Sequence, residues 1–143
     1  MISAVIIEDE PIFQEILKKA ISHIGLDIRV DGICNSKREA KILLPTLNPQ
    51  LVFLDVELVD GKGIDLLDEL KEIDFEIIFT TSHDKYAISA IKNNAADYLL
   101  KPIDEEEIAI ALDKFKIKEI AITTEQVQNL HLFTNGKLQD RIA

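Results

Sequence analysis

Short continuous apolar runs alternate along the chain with longer stretches in which apolar residues recur every three or four positions. The first pattern marks strands buried on both faces and the second amphipathic helices. Their alternation predicts an α/β protein built on a mostly parallel sheet with helices on both sides. The run from Ser3 to Ile7 is β-rich and halts at Glu8-Asp9-Glu10-Pro11, which predicts a buried first strand. Pro11 suits the first turn of a helix, where its missing N–H has no intrahelical acceptor to lose. Ile12, Phe13, Ile16, Leu17, Ala20, Ile21 and Ile24 then follow at helical spacing until Gly25.

Ile28 to Ile33 reads as a second strand, followed by Ser36 as a helix N-cap and an apolar stripe of Ala40, Leu43, Leu44 and Leu47 that Asn48-Pro49 closes. Leu51 to Leu54 is a third strand delivering Asp55 at its carboxyl end, the edge where open α/β sheets hold their ligands. A loop through Gly61 and Gly63 leads to a third helix carrying Ile64, Leu66, Leu67 and Leu70, then to a strand from Glu76 to Thr80 with Thr81 at its end. Tyr86 to Ile91 reads as a fourth helix, Asp97 to Leu100 as a fifth strand, and Asp104 to Phe115 as a final helix capped by Asp104. Five βα units result. Beyond Lys116 the pattern weakens: Ile117 to Ile122 fits either a helix extension or a strand, and Thr124 to Leu132 one more short helix. The expected division is a domain over residues 1–116 and a linker or tail over 117–143.

At 143 residues with 47% hydrophobic composition, the chain has material for one core. A net charge of −10 repels nucleic acid and anionic lipid at long range, so any DNA contact is expected from a further domain. The single Cys34 forms no intramolecular disulfide, and it reads as a small buried hydrophobe. The N-terminus lacks the features of a signal peptide and no apolar run approaches a membrane span, so a cytoplasmic location without membrane insertion is expected. Neither a Walker-type glycine loop nor a GxGxxG pattern is present.

If the first and third strands are neighbours, Glu8, Asp9 and Asp55 emerge at one carboxyl edge, joined by Thr81 and Lys101 from the fourth and fifth strands. Singly, each is an ordinary loop acid, hydroxyl or surface lysine; their joint placement is what points to chemistry. Clustered carboxylates raise one another's pKa unless a cation neutralises them, and hard oxygen ligands suit Mg²⁺, with Mn²⁺ as a substitute. Asp55 is then a candidate nucleophile toward a phosphoryl donor, with Lys101 stabilising charge and Thr81 donating to a phosphoryl oxygen.

These residues resemble the receiver domain of two-component response regulators, through VIIEDEP, LVFLDVELVDGKGIDLL, IIFTTSHDKYAISAI and ADYLLKPID, over roughly Met1 to Phe115. The stretch FTTSHDKYAISAIKNNAADYLLKPI is similar to receivers of the LytR/AlgR type, which usually precede a LytTR DNA-binding domain. The resemblance implies a doubly wound, flavodoxin-like (CheY-like) sheet of five parallel strands in the order 2-1-3-4-5. It implies that Asp55 is the phosphorylated residue and that Glu8, Asp9, Asp55 and the backbone carbonyl of Glu57 hold the metal. It further implies that Thr81 and Tyr98 act as switch residues and that the Lys101-Pro102 peptide is cis. A sensor histidine kinase is the implied partner. A homodimer through the face of the fourth helix, fifth strand and final helix is implied as well. The closing NLHLFTNGKLQDRIA reads as the start of a truncated output domain, with a stand-alone receiver carrying an unusual tail as the alternative.

Several positions depart from the family pattern. Glu8 stands where aspartate is usual, Val59 where a proline is usual, and Ser82 where alanine or glycine is frequent. Glu57 adds a carboxylate beside the phosphoryl site and leaves phosphoryl lifetime open. His23 and His131 read as bystanders, and His83 as a loop residue at the rim. Two other functions compete: a Mg²⁺-dependent phosphohydrolase with an aspartate nucleophile, for which Glu57 has the spacing of a general acid-base, and a docking module that works without phosphate.

Overall fold

In chain order the computed structural model, which describes residues 1–24, 27–83 and 95–115, contains β1 (Ile2–Ile7), α1 (Pro11–Ile24), β2 (Ile28–Cys34), α2 (Lys37–Leu47) and β3 (Leu51–Asp55). A two-residue hairpin, β4 (Glu57–Leu58) and β5 (Gly61–Lys62), then precedes α3 (Gly63–Glu69), β6 (Glu76–Thr81), β7 (Asp97–Leu100) and a helix over 105–115. The predicted stop at Gly25, the predicted helix from Tyr86 to Ile91 and the chain beyond Phe115 lie outside the described residues.

The five long strands form one parallel sheet in the order β2-β1-β3-β6-β7, which is the expected 2-1-3-4-5 counted over those strands. Side chains alternate across it with period two. Ala4, Ile6, Leu51, Phe53, Ile78 and Leu99 enter one apolar layer with Leu17, Ala20 and Ile21 of α1 and Ile108, Leu112 and Phe115 of the last helix. Val5, Ile7, Val52, Leu54, Ile77 and Phe79 enter the other, beneath α2 and α3. Both faces being covered explains why the central strands read as unbroken apolar runs. Each fully buried Leu, Ile or Phe in these layers contributes about 1.5–3 kcal/mol through removal of its apolar area from water.

Local chemistry sets the helix ends. The Ser36 hydroxyl caps α2 by accepting from the Glu39 N–H at 3.1 Å, and Asn48 ends the helix in the left-handed region at φ 45°. Asp104 accepts from the Glu107 N–H at 2.8 Å and so caps the helix over 105–115. The α1 stripe is narrower than its spacing predicts: Ile12 is 66% exposed, because it lies on the first turn beyond the edge of the apolar layer. On β2 the register against β1 slips between Ala4 and Val5, whose partners are Val30 and Gly32. Asp31 is the extra residue at this bulge, and its carboxylate accepts from the Ser3 hydroxyl and pairs with Arg29.

The β4–β5 hairpin was not predicted; two-residue strands carry no periodicity. Its turn is held by Asp60, whose carboxylate oxygens accept from the N–H groups of Lys37 at 2.8 Å and Arg38 at 3.0 Å, two donors of α2's first turn. Behind the hairpin, α3 starts hard against β3. The Gly63 N–H donates to Val56 O at 2.6 Å, and a Cβ on Gly63 would stand 2.0 Å from the Asp55 carbonyl oxygen. Since a backbone atom cannot yield there, Gly63→Ala is expected to cost about 2–4 kcal/mol in urea unfolding. Gly32→Ala is the comparison: its Cβ would meet only the tip of Leu47, at 2.8 Å, and it is expected to cost less than half as much.

Candidate functional site

The alternation that builds the core also sorts the polar residues at the carboxyl edge. Glu8 continues the face of Ala4 and Ile6, Asp55 that of Phe53, and Lys101 that of Leu99, so all three turn to the α1 side. They meet there. Lys101 Nζ lies 2.7 Å from Glu8 Oε1 and 3.1 Å from Asp55 Oδ2, with side-chain exposures of 4%, 1% and 3% for the lysine, glutamate and aspartate. Glu10 Oε1 is 3.8 Å from the same ammonium, and the Phe13 ring lies under it at 4.3 Å to the centroid. Backbone bonds fix each partner. Asp55 Oδ1 accepts from the Glu57 N–H at 3.1 Å, Glu8 Oε2 from the Glu10 N–H at 3.1 Å, and Gln14 Nε2 donates to the Glu8 carbonyl at 2.6 Å. Lys101 donates its own N–H to Thr81 O at 2.7 Å, which extends the β6–β7 pairing to the site, and the Lys101-Pro102 peptide is cis.

Two buried carboxylates share one buried ammonium, so the cluster carries an excess negative charge. Burial pushes the Glu8 carboxyl up to about 7; the Lys101 ammonium works against this, and the negative charge of Asp55 adds to it. Burial likewise opposes the charge on Lys101, yet Glu8 and Asp55 hold its pKa above the ordinary lysine value. Next to this pair, carboxylate oxygens of Glu8, Asp9 and Glu10 lie within 4.8 Å of one another, and Asp9 Oδ1 is buried with no hydrogen-bond partner among the described residues. An all-oxygen cluster with an orphaned buried acceptor and surplus negative charge fits a hard divalent cation.

The remaining expected residues make their side-chain contacts elsewhere. The Thr81 hydroxyl is buried and engaged locally, accepting from the His83 N–H at 3.1 Å. It continues the face of Phe79, under which Tyr98 packs half-buried against the second apolar layer. The Glu57 side chain points to the rim, where its Oε1 is 3.1 Å from His83 Nε2, both groups being half exposed. Sequence reasoning did not assign Glu10, Phe13 or Gln14 to the site. Glu10 could have been found from its place in the acidic run, whereas Phe13 reads as one more member of the α1 stripe and Gln14 as a surface residue.

Glu8 sets a pH dependence. Its folded-state value lies above the ordinary 4.5, so the folded chain holds that proton more tightly; the stability gained is present below pH 4.5 and lost as pH rises through about 7. With EDTA present, the urea midpoint of the wild type is expected to fall between about pH 5 and about pH 8 relative to that of Glu8→Gln, which lacks the titration. Lys101→Ala strands two buried carboxylates. It is expected to cost roughly 3–5 kcal/mol at about pH 8 and distinctly less at about pH 5, read by the same unfolding experiment.

Comparison with known proteins places this geometry. The family model for the response regulator receiver domain matches residues 4–113. A response regulatory protein of Vibrio cholerae is 39% identical over 110 residues, covering 76% of this chain and 46% of that protein. The transcriptional regulatory protein LytR of Staphylococcus aureus is 38% identical over 117 residues, covering 79% of this chain and 46% of that protein. The chain thus spans about half the length of these curated relatives. Among solved structures, the response regulatory domain of protein mrkE from Klebsiella pneumoniae superposes with a TM-score of 0.74 at 24% identity, covering 81% of this chain and 96% of that one, a likeness of fold. With the family model spanning most of the chain and the fold agreeing, this protein belongs to the response regulator receiver domain family.

Proposed function

We propose that residues 1–116 form a phosphoacceptor switch in which Asp55 takes a phosphoryl group from a sensor histidine kinase. The observation that carries this reading is the state of Asp55 itself. A buried carboxylate at the carboxyl end of the central strand is held by an ammonium at 3.1 Å on one oxygen and a backbone N–H at 3.1 Å on the other, beside a cluster of carboxylates. These contacts fix its rotamer and orient it as a nucleophile, which matters because phosphoryl transfer depends on alignment and charge stabilisation. An Asp55 oxygen forms the new bond to phosphorus as the bond to the donor breaks, giving an acyl phosphate. Lys101 stays within reach of the phosphoryl oxygens and offsets their charge.

Glu8, Asp9, Asp55 and the Glu57 carbonyl are the groups that would hold Mg²⁺ or Mn²⁺. When bound, such an ion neutralises the charge crowded onto the transferring phosphoryl group. Glu8 reaches the cluster with its longer arm, and Asp9 offers the acceptor atom that has no other partner among the described residues. Thr81, released from the His83 backbone, supplies a hydroxyl to the phosphoryl group, and Tyr98 on the same face follows it. The change would then reach β7 and the helix over 105–115, a face suited to a homodimer together with the predicted fourth helix.

One of the LytR relatives is a transcriptional regulatory protein, which supports an output in transcription regulation; the LytR/AlgR resemblance implies a LytTR-type DNA-binding domain for it, with 117–143 as the connecting segment. A cytoplasmic site of action follows from the kinase partner; no helix among the described residues is long and apolar enough to cross a membrane. The chemistry proposed is self-phosphorylation and dephosphorylation at Asp55, without turnover of a separate substrate.

Incubation with acetyl phosphate and Mg²⁺ followed by intact-mass spectrometry tests the reading. A single labile phosphate adduct is expected on the wild type, with none on Asp55→Ala and none when EDTA replaces the metal. An adduct retained by Asp55→Ala, or its absence from the wild type, would remove Asp55 from the role. Sustained multiple turnover of the donor would point to a hydrolase.

A further inference from the structure

We infer that Asp60 is a positioning residue for phosphoryl transfer to Asp55, because its carboxylate ties the hairpin that carries the Glu57 N–H to the start of α2. The inference rests on the phosphoacceptor reading above for its consequence, and on the contacts of Asp60 for its geometry.

The segment between β3 and α3 has to present a backbone N–H to Asp55 Oδ1 while its own turn projects into solvent, Val59 being 75% exposed. Near β3 it is pinned by Val56 N–H donating to Thr80 O at 2.9 Å and by Gly63 N–H donating to Val56 O at 2.6 Å. At its outer end the Asp60 carboxylate accepts from two successive N–H groups, Lys37 at 2.8 Å and Arg38 at 3.0 Å. Those donors belong to the first turn of an eleven-residue helix, where no intrahelical carbonyl can take them and where a negative charge is favoured. What burial there is works against the charge on Asp60, but these N–H donors hold its pKa below the usual aspartate value.

The tie continues around the site. The Lys37 side chain lies over Gly61, so that a Cβ there would be 3.2 Å from its Cε and Nζ, and Lys37 Nζ is 3.0 Å from Glu69 Oε2 on α3. Gly61 has φ +133°, a conformation suited to glycine, which lets the turn fold down onto Lys37. Since α3 begins against the Asp55 carbonyl, the path from Asp55 through the hairpin, α2 and α3 closes on Asp55 again. Asp60 is the point at which side-chain chemistry closes the hairpin onto α2. Its loss leaves the Glu57 N–H on a freer segment and lets the Asp55 carboxylate leave the orientation that suits attack.

Ser36 provides the control. It caps the same helix, through the Glu39 N–H at 3.1 Å, from the α2 side and with no hydrogen bond to the hairpin. Asp60→Ala, Asp60→Asn and Ser36→Ala are compared in the full chain by two readouts: amide hydrogen exchange at Glu57, and the rate of adduct formation with acetyl phosphate at saturating Mg²⁺. Asp60→Ala is expected to speed Glu57 exchange and slow adduct formation by about fivefold or more each, with Asp60→Asn, which keeps one acceptor, falling between it and the wild type. Ser36→Ala is expected to change either readout by less than about twofold while losing similar thermal stability. Equal effects of Asp60→Ala and Ser36→Ala on Glu57 exchange would reduce Asp60 to a helix cap and overturn the inference, as would unchanged Glu57 exchange in Asp60→Ala. If Asp60→Ala does not fold, Asp60→Asn against Ser36→Ala decides the matter alone. Absence of adduct on the wild type would overturn the phosphoacceptor reading separately, since exchange at Glu57 needs no phosphate.

Discussion

The buried ammonium of Lys101 is the constraint around which the carboxyl edge of this sheet is arranged. Removing a lysine side chain from water costs several kcal/mol unless carboxylates answer it at close range. Here Glu8 and Asp55 do so from two different strands, at 2.7 Å and 3.1 Å. That arrangement requires β1, β3 and β7 to end at the same level and requires their last residues to fall on the same face. It also requires α1 to begin at once after β1, because Phe13 and Gln14 of its first turn pack the ammonium and the Glu8 carbonyl. Two acids against one lysine leave a surplus negative charge beside the Glu8-Asp9-Glu10 cluster, an arrangement that fits a second cation.

Strand parity divides the edge into two halves. Glu8, Asp55 and Lys101 belong to the face of the first apolar layer, whereas Thr81 and Tyr98 belong to that of the second. The backbone of the strand ends offers one route by which a change in charge on one face can reach the other. The short link from Lys101 N–H to Thr81 O, at 2.7 Å, is one such connection.

Most of the fold was legible because the information was local and periodic. The runs Val5 to Ile7, Leu51 to Leu54 and Ile77 to Phe79 could be placed as strands from composition alone, and the placement of Asp55 and Lys101 at strand ends followed from them. What escaped was contact chemistry between residues far apart in the chain. Phe13 has the same sequence signature whether it fills the core or underlies a lysine 88 positions later. Asp60 in a glycine-flanked turn reads as a solvated loop acid, and nothing in its neighbourhood announces that it accepts from N–H groups more than twenty residues earlier. The Thr81 hydroxyl, expected to serve the phosphoryl group, accepts from the His83 N–H two residues on, a contact that strand periodicity does not announce. Ile12 continues the helical period but falls beyond the layer it was expected to join.

The slip of register at Ala4 and Val5 bears on how copies of this domain can meet. β2 lies at the edge of the sheet, and an edge with a straight row of free N–H and carbonyl groups invites a further strand from another molecule. The extra residue Asp31 breaks that row in its middle, twists the strand locally, and places a charged pair with Arg29 on the same stretch. Continuous strand addition along β2 is thereby discouraged, which leaves the β7 edge and the helical faces as the surfaces from which this domain can build an ordered assembly.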